Sequence, residues 1–280
     1  MMATEGPLIA AVIARMPDPT FNLAAHGVTF ALAILIEAPV IMLMSAATAL
    51  VRDRTSFLKL RNFAFALNFL STAGLLVLLI PSVFNWVTGS LIGLPAEVSS
   101  LTYGALWFML PWPGAIGYRR FLQGVLIRAG KTRLVAWGTV IRLIAMALAS
   151  LCGFLWLDIP GSWIGAMALG IGVSVEAVAA RFMAAPTVRG LLARKGDLEA
   201  TGREISYRDI ASFYLPLALT SLIGLTVQPL LTFFMGRSVA PLESLAVFPV
   251  VHSLSFFFRS MGLAFQDVAI ALMGERLENF

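Results

Sequence analysis

Residues 134–157 read LVAWGTVIRLIAMALASLCGFLWL, with one charged side chain, Arg142, between the flanking Lys131 and Arg133 and the terminal Asp158. About 20 predominantly apolar residues suffice for an α-helix to cross the hydrocarbon of a bilayer. The stretch therefore predicts a membrane-spanning helix, since an open strand could not satisfy its backbone in lipid. Its surroundings read alike. Apolar runs at about 23–51, 63–86, 99–127, 162–185, 209–236 and 242–273 predict further spans, and a shorter segment covers about 7–14. Of 280 residues, 59% are apolar and 12% charged, with mean hydropathy +0.88, whereas soluble proteins carry about 25% charge. The expected class is all-α, a polytopic membrane bundle, and a water-soluble enzyme is excluded.

The loops divide by charge. Arg52, Arg54, Lys59 and Arg61 follow the first long span, Arg128, Lys131 and Arg133 the third, and Arg189, Arg194, Lys195 and Arg203 the fifth. The intervening turns near Pro17, Glu97, Asp158 and Pro241 hold only Arg15 and Arg237 as basic residues. Basic loops stay on the cytoplasmic side, so the chain is expected to be multi-pass in a membrane, a bacterial inner membrane above all, with these loops inside. The net charge of +5 is spread over short loops, so no nucleic-acid partner is expected. Cys152 stands alone in an apolar run, which leaves no disulfide or cysteine metal site within one chain. Residues 1–5 lack the basic region of a cleavable signal peptide.

Sliding the chain on itself reveals a parallel repeat at an offset of about 222 residues. Pro7, Leu8, Arg15, Pro19, Leu23, Ala24, Val28 and Leu32 fall on Pro229, Leu230, Arg237, Pro241, Leu245, Ala246, Val250 and Leu254. A repeat of this length predicts two six-helix lobes, since duplicated bundles are a common plan of membrane transporters. The expected division is an N-terminal lobe at 1–187 with its first helix cut short, a cytoplasmic loop at 188–207, and the first two helices of a second lobe at 208–280. Further second-lobe helices or a partner chain are expected to complete the fold.

Several stretches resemble the multidrug/oligosaccharidyl-lipid/polysaccharide (MOP) flippase superfamily, and within it the progressive-ankylosis (ANK) transporters and their bacterial relatives. They are Ser212-Phe213-Tyr214-Leu215-Pro216-Leu217-Ala218-Leu219, Pro229 with Arg237, Pro249-Val250-Val251-His252, and Arg52-Asp53-Arg54-Thr55. Tyr118-Arg119-Arg120-Phe121-Leu122-Gln123 is more similar to the bacterial multidrug and toxic compound extrusion (MATE) proteins than to the animal ANK proteins. The resemblance implies a MATE-like six-helix lobe followed by the start of a second, a central cavity, and alternating access without a cofactor. It further implies secondary active export by exchange with H+ or Na+, of a small organic anion or amphipathic solute. A flippase for lipid-linked oligosaccharides is the alternative within the superfamily.

Ionisable groups within spans cost at least about 2.5–3.5 kcal/mol at the bilayer centre, so by default they face a partner or a wet cavity. The candidates for substrate binding or coupling are Glu37, Arg119, Arg120, Gln123, Arg142, Glu176, His252, Arg259, Gln266 and Asp267. Counting the charged ones leaves one positive charge in excess, which favours an anion. His26, Glu37 and Thr48 recur every eleven residues, and His252, Arg259 and Gln266 every seven, so each set predicts a polar stripe on one helix. The repeat sets Glu37 opposite Arg259; both stripes are expected to line the cleft between lobes, with Glu37 and Arg259 pairing in one access state or locking helices permanently. Arg119 and Arg120 diverge by about 100° around a helix and are not expected to share one ligand easily. Either could join Arg142 in holding an anion through the planar guanidinium fork, or snorkel to the headgroups. Glu176 and Glu37 are candidates for proton coupling, and Glu176 is not expected to pair with Arg181 on its own helix.

Pro111, Pro113, Pro216 and Pro229 are hinge candidates, because an intrahelical proline removes a backbone hydrogen bond and permits a kink. No Gly-x-Ser-x-Gly, Gly-x-Gly-Asp or HExxH pattern occurs, so no catalytic residue or metal site is expected. A non-transporting membrane scaffold, or an intramembrane enzyme in which a serine would rely on His26 or His252, is the alternative of another class.

Overall fold

The computed structural model describes residues 4–193 and 205–273, with side chains described throughout except at 257 and 259–273. Among these residues every regular element is helical: α1 (Glu5–Ile13), α2 (Pro19–Glu37), α3 (Leu43–Leu50), α4 (Arg54–Leu78), α5 (Pro81–Asn85), α6 (Ala96–Phe108), α7 (Trp112–Arg128), α8 (Thr132–Trp156), α9 (Gly161–Ala193), α10 (Tyr207–Gly236) and α11 (Pro241–Met273), with a π-helical segment at Trp86–Ile92 between α5 and α6. Five of them, α2, α4, α8, α9 and α10, are long and apolar enough to cross a membrane. Phe69, Trp156, Phe182 and Ile223 are 72–77% exposed on the outside of the bundle. Large bare apolar side chains in such number fit a lipid-facing surface and not a watery one.

Local chemistry sets the ends. Asp53 accepts from the Ser56 amide at 2.7 Å while the Ser56 hydroxyl accepts from the Asp53 amide at 3.0 Å, a reciprocal cap that starts α4. Asp209 and Ser206 open α10 in the same way. Gly93, at φ 82°, ends the π-helical segment in the left-handed region that only glycine enters cheaply.

Two expected spans prove to be broken. The run at 23–51 is α2 and α3 with a non-helical turn around Pro39, and the run at 99–127 is α6 and α7 separated at Pro111. In each, a proline amide cannot donate and the ring crowds the preceding turn. The break at Pro39 removes the single stripe expected of His26, Glu37 and Thr48. Thr48 sits on α3 and donates to Met44 O at 2.9 Å and Gly124 O at 3.3 Å. Conversely, α10 runs unbroken through Pro216 and Pro229, so the hinges expected there are not seen. The loop expected at 188–207 is helical as far as Ala193, because α9 continues through Pro186.

The buried helix α7 packs on α3, α4 and α9, and α8 lies along α9. Gly161 and Gly165 let α1 approach α9, since a Cβ at Gly165 would fall 3.0 Å from Ile9, Ile13 and His26. Helices α10 and α11 pack mainly on α2, and α11 also on α1. The α2–α11 contact depends on Gly27, where a Cβ would fall 2.5 Å from Cγ of Pro249. A proline ring cannot swing aside, so Gly27→Val is expected to cost about 1–3 kcal/mol by overpacking. Thermal unfolding of the detergent-solubilised chain checks this, with Gly224→Val as control because its Cβ would meet open space.

Candidate functional site

A cavity of about 280 Å³ lies between α1, α2 and α7 on one side and α10 and α11 on the other, with Arg142 of α8 and Leu169 of α9 reaching its wall. Its lining brings together Glu37, Arg119, Arg120, Arg142 and His252 from the residues expected by sequence, with His26 of the expected α2 stripe, and adds Glu5, Trp112 and Gln228. Gln123 and Glu176 do not line it. They stand behind Arg119.

Glu176 is completely buried and collects the positive charge around it. Its carboxylate accepts from Arg119 Nη1 at 2.5 Å and from Gln123 Nε2 at 3.0 Å, and Arg142 Nη1 lies 3.6 Å away. Arg142 in turn donates from Nε to Glu5 Oε1 at 2.9 Å and forms a second bond to it from Nη2. The chain Glu5–Arg142–Glu176–Arg119 is thus a continuous buried ion network drawn from α1, α8, α9 and α7. None of its members snorkels. Arg128 and Arg181 are exposed and donate to Thr48 O and Tyr118 Oη.

Glu5 changes the charge count. The region of buried Arg119 and Arg142 and half-buried Arg120 also holds Glu5, Glu37 and Glu176, so the excess positive charge expected from sequence is absent among the described residues. The distribution is nonetheless uneven. Arg119 and Arg142 are paired, whereas no described carboxylate lies within 4.0 Å of the Arg120 guanidinium. Arg120 Nη1 is 3.8 Å from the thioether of Met44, and its Nε has no partner. Adjacent on α7, the two arginines do diverge, one toward α9 and the other toward α3. Both nonetheless touch the cavity, because a guanidinium on its long stem reaches sideways.

Glu37 joins the two breaks. It is the last residue of α2, and its Oε2 accepts from Nε1 of Trp112, the first residue of α7, at 2.7 Å. A carboxylate beside a helix N-terminus meets the positive end of the backbone dipole. The carbonyls freed at the α2 break are capped from α10: Ser221 Oγ donates to Ala38 O at 2.7 Å, and Tyr214 Oη donates to Pro39 O. On the far wall the Gln228 amide nitrogen lies 2.8 Å from His252 Nε2, and the rings of His252 and Phe248 are 5.6 Å apart. His26 is buried with no partner for Nδ1. The side chains of Arg259, Gln266 and Asp267 lie outside the described residues, and with them the expected Glu37–Arg259 pair and the His252 stripe. Pro111 and Pro113 sit at the start of α7, where the helix is interrupted.

Among the described residues no group of three or more His, Cys, Asp or Glu side chains is placed to hold a metal ion. Comparison with protein-family models, curated proteins and solved structures finds no match to this chain. What the fold and the site define is a class: a helical membrane protein with an ionised, partly apolar cavity between its first helices and α10–α11.

Proposed function

We propose that this chain is a secondary active transporter that moves a small organic anion or amphipathic solute by alternating access. In this reading residues 4–193 form one MOP-like lobe, α10 and α11 belong to the second, and the basic loops face the cytoplasm. The observation that carries it is the cavity itself. Buried ionised groups are costly, and here they line a space between the two sets of helices where a solute could meet them. The broken helices α2/α3 and α6/α7 end beside that space, as discontinuous helices do at transporter binding sites. A cavity near the lower end of the usual ligand range of about 300–1,000 Å³ argues for a small solute and against a lipid-linked oligosaccharide.

The test is flux in proteoliposomes that contain the full chain, with a panel of labelled organic anions under imposed H+ or Na+ gradients. Gradient-dependent counterflow of at least one anion, absent from empty vesicles, is expected. A chain that is folded and oriented in the vesicles but moves none of them is a scaffold, and the transport reading is then wrong.

A further inference from the structure

Among the described residues the cavity has one arginine without an ion-pair partner, and its wall is largely hydrocarbon. Arg119 and Arg142 are already neutralised by Glu176 and Glu5, so neither is free to take a ligand without breaking a buried ion pair. Arg120 reaches the same cavity with no carboxylate in ion-pair range among the described residues and an unpartnered Nε. Around the remaining space stand Phe30, Ile34, Ile116, Phe248, Pro249 and Phe256. We infer that the cavity takes an amphipathic monocarboxylate, its carboxylate on the Arg120 guanidinium and an aromatic or branched apolar body against the phenylalanines of α2 and α11. The inference rests on the proposed transport function only for its physiological meaning. Binding is a separate event and is tested separately.

Three physical arguments select this class. A guanidinium presents parallel donors that match a carboxylate. The half-buried Arg120 guanidinium has no described carboxylate within ion-pair range, so a ligand that supplies the opposite charge is favoured beyond its contacts. A second or third anionic group would meet Glu37 and Glu5, whose carboxylates also line the cavity, and no further described cation is free to receive it. Polyanions such as citrate or pyrophosphate are therefore disfavoured. A neutral analogue would leave Arg120 unpaired.

The experiment is equilibrium binding of labelled 3-phenylpropionate to the purified full chain in detergent, with competition by unlabelled 3-phenylpropionate, its amide, citrate and pyrophosphate. Saturable binding is expected, displaced by the unlabelled acid and not by equal concentrations of the other three. Arg120→Gln is expected to weaken it at least tenfold, with Arg120→Lys intermediate. Phe256→Ala, which leaves every described ionised group in place, is expected to weaken phenylpropionate and to leave acetate competition unchanged. The inference is overturned if the wild-type chain does not bind, if citrate or pyrophosphate displaces as well as the parent acid, or if neither Arg120→Gln nor Phe256→Ala alters affinity. Binding without flux would sink the transport reading and leave this one standing. Flux of polyanions with no phenylpropionate binding would do the reverse.

Discussion

Glu176→Gln is expected to destabilise the folded chain by about 3–5 kcal/mol, the range for removing one member of a buried ion pair. Glu176 is 0% exposed, and its carboxylate sits against Arg119, which is itself 1% exposed, and within 3.6 Å of Arg142. Glutamine keeps the size and one acceptor oxygen, so the loss is one of charge. It strands the buried Arg119 guanidinium without a counter-ion, and Arg142 keeps only Glu5. Arg120→Gln is the control, because that residue is in no described ion pair and its removal should leave thermal stability within about 1 kcal/mol of the parent. The measurement is the unfolding midpoint in a fixed detergent, with denaturant titration where unfolding is reversible. Equal midpoints for Glu176→Gln and the parent would mean that the network is not the structural anchor described here. Where Glu176→Gln does lower the midpoint, the double change Glu176→Gln with Arg119→Met should recover part of the loss, since it removes the stranded charge together with its partner.

This anchor bears on how the site divides. Glu176 and Gln123 lie behind the cavity wall and hold Arg119 in it, whereas Arg120 and Glu37 line the cavity without an ion-pair partner among the described residues. A proton-coupling role at Glu176, considered from its position in an apolar span, is weakened by its burial behind Arg119. Glu37 is better placed, at the cavity and at the junction of two helix breaks. The same carboxylate chemistry thus gives one group locked among arginines and one, Glu37, at the cavity wall.

Much of the fold was legible because hydrocarbon imposes length: residues 134–157 could hardly be anything but the helix now seen as α8. What hydropathy could not reveal were interruptions within apolar runs. Pro39 and Pro111 break helices while Pro216 and Pro229 do not, though all four sit in apolar sequence; at the Pro39 break the freed carbonyls find donors on α10, which no reading of one segment alone can show. Once α2 ends at Glu37, helical phase is lost, and the stripe continued to Thr48 fails for that reason. Arg119, Arg120, Arg142 and Glu37 were recognisable as isolated charges in lipid. Glu5 was not, because the segment that carries it is too short to count as a span. Nor were Gln228, Tyr214 and Ser221, which are unremarkable polar residues until α10 is laid against α2 and the cavity. A polar residue facing a known break is the signal that could have found Tyr214 and Ser221, seven residues apart and so on one face of α10.

Removing both caps, Tyr214→Phe with Ser221→Ala, is expected to loosen α10 from α2 and open the cavity. Each substitution leaves a carbonyl, Pro39 O or Ala38 O, without its donor, and an unmet buried polar group costs about 1–3 kcal/mol. The apolar bulk is nearly unchanged, so the effect falls on the contact between the two sets of helices and not on either core. If the lobes rock, these two bonds must break when α10 moves away, and their loss shifts the equilibrium toward the parted form. Accessibility reads this directly. In a Cys152→Ser background carrying Phe256→Cys at the cavity wall, a water-soluble maleimide should label the doubly substituted chain several-fold faster than its parent. A cap-free chain that labels no faster, while unfolding at the same temperature, would show that the bonds to Ala38 and Pro39 hold nothing shut.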